Sequence, residues 1–516
     1  MEGNKRLIIE RFYETQKRLR VLMDENPRAA IIAARGLMPD DVLGKVNIDI
    51  IKAATFIDAG AIVSDRAAVD EGIDIFTRLR TDLPNRDELD YNLANGLFAQ
   101  SDLDTTARPD WFLKTSDARR QARSMFQQAG VSETSSPQLV SESFTNLGNS
   151  LLKSGRLVEA YNSYIKALSF DPTNGIALTG AAKNLIWFDR NGIGNSKILR
   201  GVASKHLKIA RDNPNRIRDL AGKQAFESLS KLLENDIPGG VIPDLSKSTH
   251  YQQFVAKHRL ALSPTIEGLD LSLPLWDSLG ISRVTESIDT PEGAPPIFAM
   301  YNMLKSDFLA ARHIAFLAIE NVLPESGKYV DTLDYANYGV QVSLLELAQR
   351  ASLDLLDKIA VASTEYLELP GKPSSIYFSN RWFQNRVSPE DLKWQPKIDA
   401  EIRKGNLPLI ALTEVAIDME EGGYLREKKN IRHSSTHRFT VLHDGSESPY
   451  RKSRYIDHYS YSSFSRQVIE TLQLTRAALF YFVEMVELHE KHLVKNPHVL
   501  PLPLPDYDWV RGDTIS

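Results

Sequence analysis

The sequence predicts an all-α protein, and three observations support that fold class. Apolar residues recur at helical spacing through long stretches, of which 296–321 (PIFAMYNMLKSDFLAARHIAFLAIEN) is typical. A pattern of paired helices repeats across the first half of the chain. Only two short segments, 376–378 and 439–442, have the composition of strands, which is too little to change the class.

Length and composition limit the organisation of the chain. A chain of 516 residues is too long for one hydrophobic core, so two or three domains are expected. Apolar residues make up 42% of the sequence and charged residues 25%, as in ordinary globular proteins. The net charge of −5 gives no global attraction to nucleic acid, so any RNA site must be a local basic patch.

The sequence contains no cysteine, which excludes disulfides, zinc–thiolate sites and cysteine nucleophiles. This composition fits a reducing compartment. The N-terminal segment mixes charges into an amphipathic pattern and lacks an apolar signal core. No stretch reaches the ~18 apolar residues that a membrane span requires. We therefore expect a soluble, cytoplasmic protein with no membrane partner.

One segment, 141–174, carries the repeat pattern most clearly. Small residues at three of its positions let two antiparallel helices approach closely, larger apolar residues fill the groove between them, and a proline ends the second helix. The positions that agree in one register are Phe144, Leu147, Gly148, Leu151, Ala160, Tyr164, Ala167 and Pro172. At this spacing the segment resembles a 34-residue tetratricopeptide (TPR) repeat.

Weaker copies flank the clear one. A pair is predicted within 53–86. A second pair lies within 87–130, with an inserted loop between its two helices, and another extends from Ala181 to Ala210, with a further insertion between its helices. Four stacked units are enough for a continuous solenoid core. Such an array serves as a spacer or holds a partner protein, a peptide or the chain's own C-terminal domain.

The predicted organisation has five parts. They are an N-terminal helical cap (1–52), TPR-like repeats (53–215), an irregular connector with short helices at 220–234 and 249–260 (216–295), a helical bundle domain (296–495) and a C-terminal tail (496–516). Within the bundle we expect helices at 296–322, 335–367, 405–421 and 462–494, and one that begins near Gly423.

Positive charge and histidines concentrate near residue 440. Four of the eleven histidines, His433, His437, His443 and His458, fall within 26 residues. Between Tyr424 and Arg454, eight Lys or Arg side chains oppose three acids. Phosphate-binding charge and groups that titrate near neutral pH therefore occur together only here.

These residue types suit RNA cleavage without a metal. A base must deprotonate the ribose 2′-OH, an acid must protonate the leaving 5′-oxygen, and a cation must stabilise the phosphorane. Histidine serves as base or acid near pH 7, and arginine offers a fixed fork of donors to phosphate oxygens. On an ideal helix Arg432 and His437 lie about 140° apart. A cleft that reaches around the helix, or a second subunit, is needed to bring both to one phosphate.

The motif Arg432-His433-x3-His437 resembles the R-polar-x3-His motif of HEPN domains. The segments 304–312 (LKSDFLAAR), 344–360 (LLELAQRASLDLLDKIA) and 474–486 (LTRAALFYFVEMV) resemble helices of a bacterial HEPN branch fused to TPR repeats. The resemblance covers about residues 255–490. It implies a TPR-like solenoid followed by a HEPN-type bundle. It also implies a homodimer with a composite RNase site, no cofactor, and a toxin or antiviral-defence setting.

The resemblance also assigns roles to residues. Arg432 would bind the phosphate, and His437 would be the acid or base. His433 would take the second motif position, where the family more often has Asn, so its role stays open. The RNA backbone would meet the basic residues Arg426, Lys429, Arg438, Arg451 and Lys452.

Three other interpretations of the same segment remain open. The chain can be a TPR adaptor whose HEPN-like domain only dimerises. His433 and His437, at i and i+4 on a helix, can chelate a metal with His443 and Asp444. The basic residues can simply form a solvated helix face.

Overall fold

The computed structural model describes most of the chain. The described ranges are 2–235, 237–267, 277–287, 294–324, 327–384, 392–428, 438–445, 453–493 and 499–502. The predicted all-α class is confirmed. No helix in these ranges is both long and apolar enough to span a bilayer.

The first half of the described chain is a run of helices. They are α1 (Glu2–Glu25), α2 (Pro27–Arg35), α3 (Lys45–Val63), α4 (Arg66–Asp82), α5 (Asp87–Asp102), α6 (Asp110–Lys114), α7 (Ser116–Val131), α8 (Pro137–Lys153), α9 (Leu157–Phe170), α10 (Gly175–Arg190) and α11 (Ser196–Asp212). We call α3 to α11 the array. Helix α3 pairs with α4, α5 with α7, α8 with α9 and α10 with α11, so the four predicted pairs are present.

The two predicted insertions have different outcomes. The first is correct, because the short helix α6 and its flanking loops separate α5 from α7. The second is wrong, because only residues 191–195 join α10 to α11. Asn195 accepts the backbone N–H groups of Lys197 and Ile198 and thereby begins α11 directly after a turn.

The clear repeat copy is held together by one tyrosine ring between two glycines. Tyr164 is buried, and its hydroxyl donates to Asn149 Oδ1 over 2.8 Å. A Cβ on Gly148 would lie 2.7 Å from the Tyr164 ring, and so would a Cβ on Gly180 of the next unit. Both helices approach the ring too closely for any larger residue, as the sequence predicts for Gly148.

The connector is packed rather than free. It contains α12 (Pro214–Glu234), interrupted at Gly222 with φ 81°, and α13 (His250–Lys257). Asp24 of α1 accepts the Lys223 N–H over 3.0 Å, so α12 lies against the N-terminal helix. Arg312 binds both oxygens of Asp277 at 2.7 and 2.8 Å and thereby fixes the connector to the bundle.

The described C-terminal part is a helical bundle. Its helices are α14 (Pro296–Ile319), α15 (Val340–Tyr366), α16 (Pro396–Arg403), α17 (Leu407–Asp418) and α18 (Tyr461–Leu493). Helix α18 packs against α14, α15 and α17. These bounds lie close to the predicted helices, and all four predicted bundle helices of defined extent are present.

The described C-terminal part also contains two small β-sheets. The first pairs β1 (Val284–Ser287) with β5 (Val499–Leu502) in antiparallel orientation. In the second, β3 (Phe439–His443) is antiparallel to β2 (Ala336–Asn337) and parallel to β4 (Ile456–Ser460). The strand predicted at 439–442 is therefore confirmed.

The strand predicted at 376–378 is wrong. This segment follows the 3₁₀ turn Pro373–Ser375, and residues 378–380 form another turn. Its apolar side chains Ile376 and Phe378 are buried, and Asp357 accepts the Phe378 N–H over 2.7 Å. The apolar pattern thus anchors a loop in the core instead of building a sheet.

We expect Gly148→Ala to lower the melting temperature, and Gly36→Ala to leave it nearly unchanged. The new methyl group at 148 would press on the fixed Tyr164 ring at 2.7 Å, whereas at 36 the nearest atom is 3.5 Å away. Overpacking costs about 1–3 kcal/mol, more than the up to ~1 kcal/mol that Ala gains in helix propensity. Thermal unfolding followed by circular dichroism measures both variants, and an unchanged Gly148→Ala protein would contradict the close approach.

Candidate functional site

Most of the predicted catalytic segment lies outside the described residues. This applies to Arg432, His433 and His437, and also to Lys429, Arg451 and Lys452. The residues on both sides of 429–437 are described. They locate the two ends of the motif segment in the bundle.

At the upstream end of the motif segment (residues 429–437), the described chain makes a tight turn directly after α17. The Leu425 N–H donates to the Asp418 carbonyl over 3.1 Å, and a Cβ on Gly423 would lie 2.1 Å from that same oxygen. Residues 426–428 are helical, in agreement with a helix that begins near Gly423. Glycine is therefore required for the chain to turn back so closely after α17.

Lys428 joins this helical turn to two other elements. It is buried, and its ammonium group lies 3.4 Å from Glu470 of α18. Glu470 also pairs with Lys166 of α9 at 2.9 Å. Burial raises the pKa of Glu470, but the charges of Lys428 and Lys166 outweigh that effect and hold the pKa at about 2. Lys428 is thus a buried contact, whereas the sequence shows it only as one of the basic residues between Tyr424 and Arg454.

The two described members of the predicted RNA-binding set differ in surroundings. Arg426 is half-buried on the helical turn 426–428. Arg438 is exposed at the downstream end of the motif segment and pairs with Asp457 at 2.9 Å. The charge of Arg438 is therefore partly offset by a carboxylate on the neighbouring strand.

His443 and His458 form a hydrogen-bonded pair across the parallel strands. His443 Nε2 lies 2.7 Å from His458 Nδ1, and His443 Nδ1 lies 2.9 Å from the Asp334 carbonyl oxygen. Both contacts can form with neutral rings if His443 Nδ1–H donates to the Asp334 carbonyl and His458 Nδ1–H donates to His443 Nε2. Burial lowers the pKa of His458, and a charge on the neighbouring His443 would lower it further.

This geometry bears on the metal interpretation. Both ring nitrogens of His443 are engaged in hydrogen bonds, and Asp444 accepts from Asn337 over 2.7 Å. Within the described ranges, no group of three or more His, Asp or Glu side chains is arranged to hold a metal ion. His433 and His437, the other two members of that set, lie outside the described residues.

A buried ionic network joins α17 to the array. Glu414 accepts from Arg119 at 2.6 and 2.8 Å, in a bidentate pair, and from Arg123 at 3.1 Å. Asp418, one turn further along α17, accepts from Arg123 at 2.8 Å and also binds Arg156. All five side chains are at most 1% exposed.

The network is balanced in charge and in hydrogen bonds. Arg156 also binds Glu159 over 2.8 Å and donates to the Tyr424 hydroxyl over 2.8 Å. The Ser154 hydroxyl accepts from Arg119 and Arg123. Three arginines thus meet three carboxylates, which is the condition under which buried charges are tolerated. Tyr424 extends the network to within a few residues of the motif segment.

A cleft of about 1000 Å³ separates the array from the bundle beside this network. One wall comes from α7, α8 and α9, and the opposite wall from residues 423–428 and the first half of α18. His258 and Arg259, which follow α13, close one side. The turn that leads into the motif segment is therefore also a wall of the cleft.

Sequence reasoning missed both the network and the cleft. A signal for the network is present, because Glu414 and Asp418 lie at i and i+4 on an otherwise apolar helix, and Arg119 and Arg123 have the same spacing. Acids on an apolar helix predict buried partners. The sequence contains no comparable signal for Arg259.

The fold and the site define a chain of paired helices followed by a helical bundle that carries a basic, histidine-containing segment. Residues 288–489 match the family model described as LA2681-like HEPN, and this range contains Arg432, His433 and His437. The HEPN resemblance of the C-terminal part is therefore confirmed.

Two solved structures are similar to part of the chain at 18% identity. The first is described as MamA MSR-1 C2. The aligned region spans 39% of this chain and 97% of that structure's chain, with a TM-score of 0.23. The one described as MamA AMB-1 P212121 is covered over 90% and covers 38% of this chain, with a TM-score of 0.19. Scores of this size carry no information about function. No curated protein matches the sequence.

We expect Glu414→Gln to destabilise the protein strongly and Glu368→Gln to have little effect. The first change leaves Arg119 buried without its full counter-charge, and breaking a buried ion pair costs about 3–5 kcal/mol. Glu368 is exposed and pairs with Lys397 at 2.8 Å, an arrangement that water screens. Urea and thermal unfolding measure the loss in free energy of unfolding for each variant. Equal losses would show that the buried network stabilises the protein no more than an exposed ion pair does.

The stabilisation from Glu470 should depend on pH. The folded pKa of about 2 lies below the unfolded value of about 4.3, so the ionised carboxylate stabilises the fold above that pH. The contribution is lost as the pH falls from about 5 towards 2. Glu470→Gln should therefore lower the melting temperature more at pH ~7 than at pH ~3. The exposed Glu365→Gln on α15 is the control, and a pH-independent gap would contradict this.

Proposed function

We propose that this protein is a metal-independent endoribonuclease of the HEPN type. The observation that carries the proposal is that the family match over 288–489 encloses the Arg432-His433-x3-His437 motif. The segment between Lys428 and Arg438 is also tied at both ends, by Glu470 upstream and by Asp457 downstream. Flanking contacts that are already formed reduce the entropy lost when catalytic groups are positioned on a phosphate.

In the proposed reaction, the ribose 2′-oxygen attacks the adjacent phosphorus while a histidine takes its proton. The P–O5′ bond breaks, and a second histidine protonates the leaving 5′-oxygen. Arg432 holds the non-bridging phosphate oxygens as charge builds up on them. The products are a 2′,3′-cyclic phosphate and a 5′-hydroxyl, and the reaction requires no cofactor.

The need for both a base and an acid supports a homodimer. Each chain supplies one His437, and two facing motifs would place one on either side of the scissile phosphate. This arrangement also removes the difficulty that Arg432 and His437 would lie about 140° apart on an ideal helix. The proposed dimer forms through the bundle domain.

The remaining basic residues would bind the RNA backbone. Arg426 on the helical turn and Arg438 at the start of β3 flank the motif, and Lys429 lies between them in sequence. Arg451 and Lys452 precede β4 in the sequence. His433 is proposed to assist at the second motif position, and Arg438 contributes less because Asp457 pairs with it.

The array would restrain or direct the nuclease. Lys166 and Arg156 of the array meet Glu470 and Tyr424, which hold the start of the motif segment. A nuclease active on cellular RNA needs such control, which supports a toxin or antiviral-defence role in the cytoplasm. A protein or peptide partner bound to the array is the proposed trigger.

The decisive measurement is cleavage of total RNA and tRNA by the purified full-length protein in excess EDTA. We expect cleavage by the wild type and a loss of at least about 100-fold in His437→Ala, because general acid–base groups contribute about 10²–10⁴-fold. Arg432→Ala should lose about as much, because it removes the cation that stabilises the charge developing on the phosphate. The exposed His492→Ala on α18 should cleave at the wild-type rate. Product ends are identified by their sensitivity to enzymes that remove cyclic phosphates.

Three outcomes would contradict the proposal. Unchanged cleavage by His437→Ala would remove the motif from the chemistry. Cleavage only with added metal would favour the histidine–metal interpretation. A strictly monomeric active enzyme in light scattering would exclude the composite site. If folded protein does not cleave RNA, and partners captured on the array are lost when its groove is mutated, the chain is instead a non-catalytic TPR adaptor.

A further inference from the structure

Helix α12 is interrupted in its middle, and the interruption exposes two sets of backbone groups. Gly222 has φ 81° and ψ 179°, which divides the helix into residues 214–221 and 223–234. A residue with a Cβ rarely adopts a φ of this kind, whereas glycine does so readily. The carbonyl groups that end the first segment and the N–H groups that begin the second have no partner within α12. They must be satisfied from outside the helix.

Two charged side chains of α1 meet this break. Arg20 donates to the Arg218 carbonyl over 3.0 Å, and Asp24 accepts the Lys223 N–H over 3.0 Å. Arg20 and Asp24 lie one turn apart on α1, so the same face of the helix presents both groups. A helix carries partial negative charge at its C-terminal end and partial positive charge at its N-terminal end. The cation therefore lies at the end of the first segment and the anion at the start of the second, as the two dipoles favour.

The break itself is a fixed feature of the surface that α1 meets. The Arg218 guanidinium lies 4.6 Å from the centre of the Phe226 ring, which is on the other segment, so the two segments hold each other. Ile217 is fully buried, and a Cβ on Gly175 at the start of α10 would lie only 2.3 Å from it. The first segment is thus tightly packed on the array before α1 is considered.

The contact between α1 and α12 closes a cycle of helices. Helix α1 packs against α3, α3 against α5, α5 against α8, α8 against α10 and α10 against α12, and α12 packs against α1 again. The bundle contacts α7 and α9, which are not members of this cycle. Six helices with axes about 8–10 Å apart around a ring leave a central space narrower than the ~10–12 Å diameter of a further helix. A helical partner therefore does not fit inside the ring while it is closed.

Polar side chains connect four of the ring helices. Desolvation by the surrounding protein raises the pKa of Asp58 on α3 to about 6, and the charge of Arg20 on α1 opposes this shift. Asp58 in turn acts on Tyr91 of α5. Asn146 of α8 donates to the Tyr91 hydroxyl over 3.2 Å and to Asn95 over 2.9 Å. Because Asp58 is exposed and yet surrounded by protein, it lies in a recess, as the inner side of a ring is.

We propose that α1 and α12 form a clasp that closes the six helices into a ring, and that a protein partner reaches the inner side only after Arg20 and Asp24 release the break in α12. Both clasp bonds are exposed, so water replaces them at small net cost. Leu19 is the one buried apolar residue among those of α1 whose side chains the structure describes. The clasp is therefore reversible. It is a property of the repeat half alone and does not depend on the proposed cleavage activity.

The absence of cysteine allows a direct test in the full-length protein. Lys17→Cys on α1 and Lys231→Cys on α12 place two spin labels at exposed positions, and pulsed electron paramagnetic resonance measures the distance between them. We expect one narrow distance distribution. Asp24→Ala should add a population at longer distance and shift the ratio of open to closed rings about tenfold, as expected for loss of a helix cap. Glu14→Ala, an exposed change on the same helix, should leave the distribution unchanged.

A charge exchange and a labelling rate complete the experiment, and circular dichroism confirms that each variant is folded. The double variant Arg20→Asp with Asp24→Arg keeps the net charge but reverses the match to the two helix ends, so it should open the ring at least as far as Asp24→Ala. Asp58→Cys, as the only thiol, should react with a polyethylene glycol maleimide at least about tenfold faster when combined with Asp24→Ala. A long or broad distance without clasp changes, a closed ring in the exchanged variant, or an unchanged labelling rate would overturn the proposal.

Discussion

The architecture depends on one interaction, the buried ionic network between the array and α17. Two carboxylates one turn apart, Glu414 and Asp418, meet three arginines with at most 1% of any of these side chains exposed. Removing such charges from water costs several kcal/mol each, and the cost is offset only if every partner is present in good geometry. The array and the bundle therefore cannot shift gradually against each other. The network is either assembled as a whole or left with buried unpaired charge.

This constraint determines where the motif segment begins. Asp418 is the last residue of α17, its carbonyl receives the Leu425 N–H, and Tyr424 lies against Arg156 of the array. The chain has only a few residues in which to turn from the network to Lys428. The position of Lys428 is thus coupled to the array through short, buried contacts. A repeat array attached in this way is part of the packing of the bundle and differs from a module joined to it only by a linker.

The sequence predicted what depends on local periodicity and missed what depends on distant pairing. The repeat copy at 141–174 was predictable because close approach requires small residues at fixed spacing, and Gly148 beside Tyr164 confirms that reasoning. The partners in the network were missed because Arg119 and Glu414 are 295 residues apart: acids on an apolar helix indicate that buried partners exist, but no local pattern identifies them. The segment 376–378 was misread as a strand because burial in a loop and burial in a sheet select the same apolar residues. Asp357, which accepts the Phe378 N–H, lies on a different element.

For the candidate site, the sequence placed the motif and its basic neighbours in one segment. Lys428 was only one of the basic residues counted in that segment, and its buried partner Glu470 is apparent only in the structure.

Lys428 links the cleft to the motif segment through one side chain. It lines the cleft and also belongs to the helical turn that precedes residues 429–437. Its ammonium group pairs with Glu470, which Lys166 of the array also binds. Because the two lysines hold the pKa of Glu470 at about 2, this carboxylate stays charged near neutral pH. A change in the position of Lys166 therefore acts on Lys428 through their shared carboxylate, and the turn before the motif segment depends on the array for its electrostatic balance.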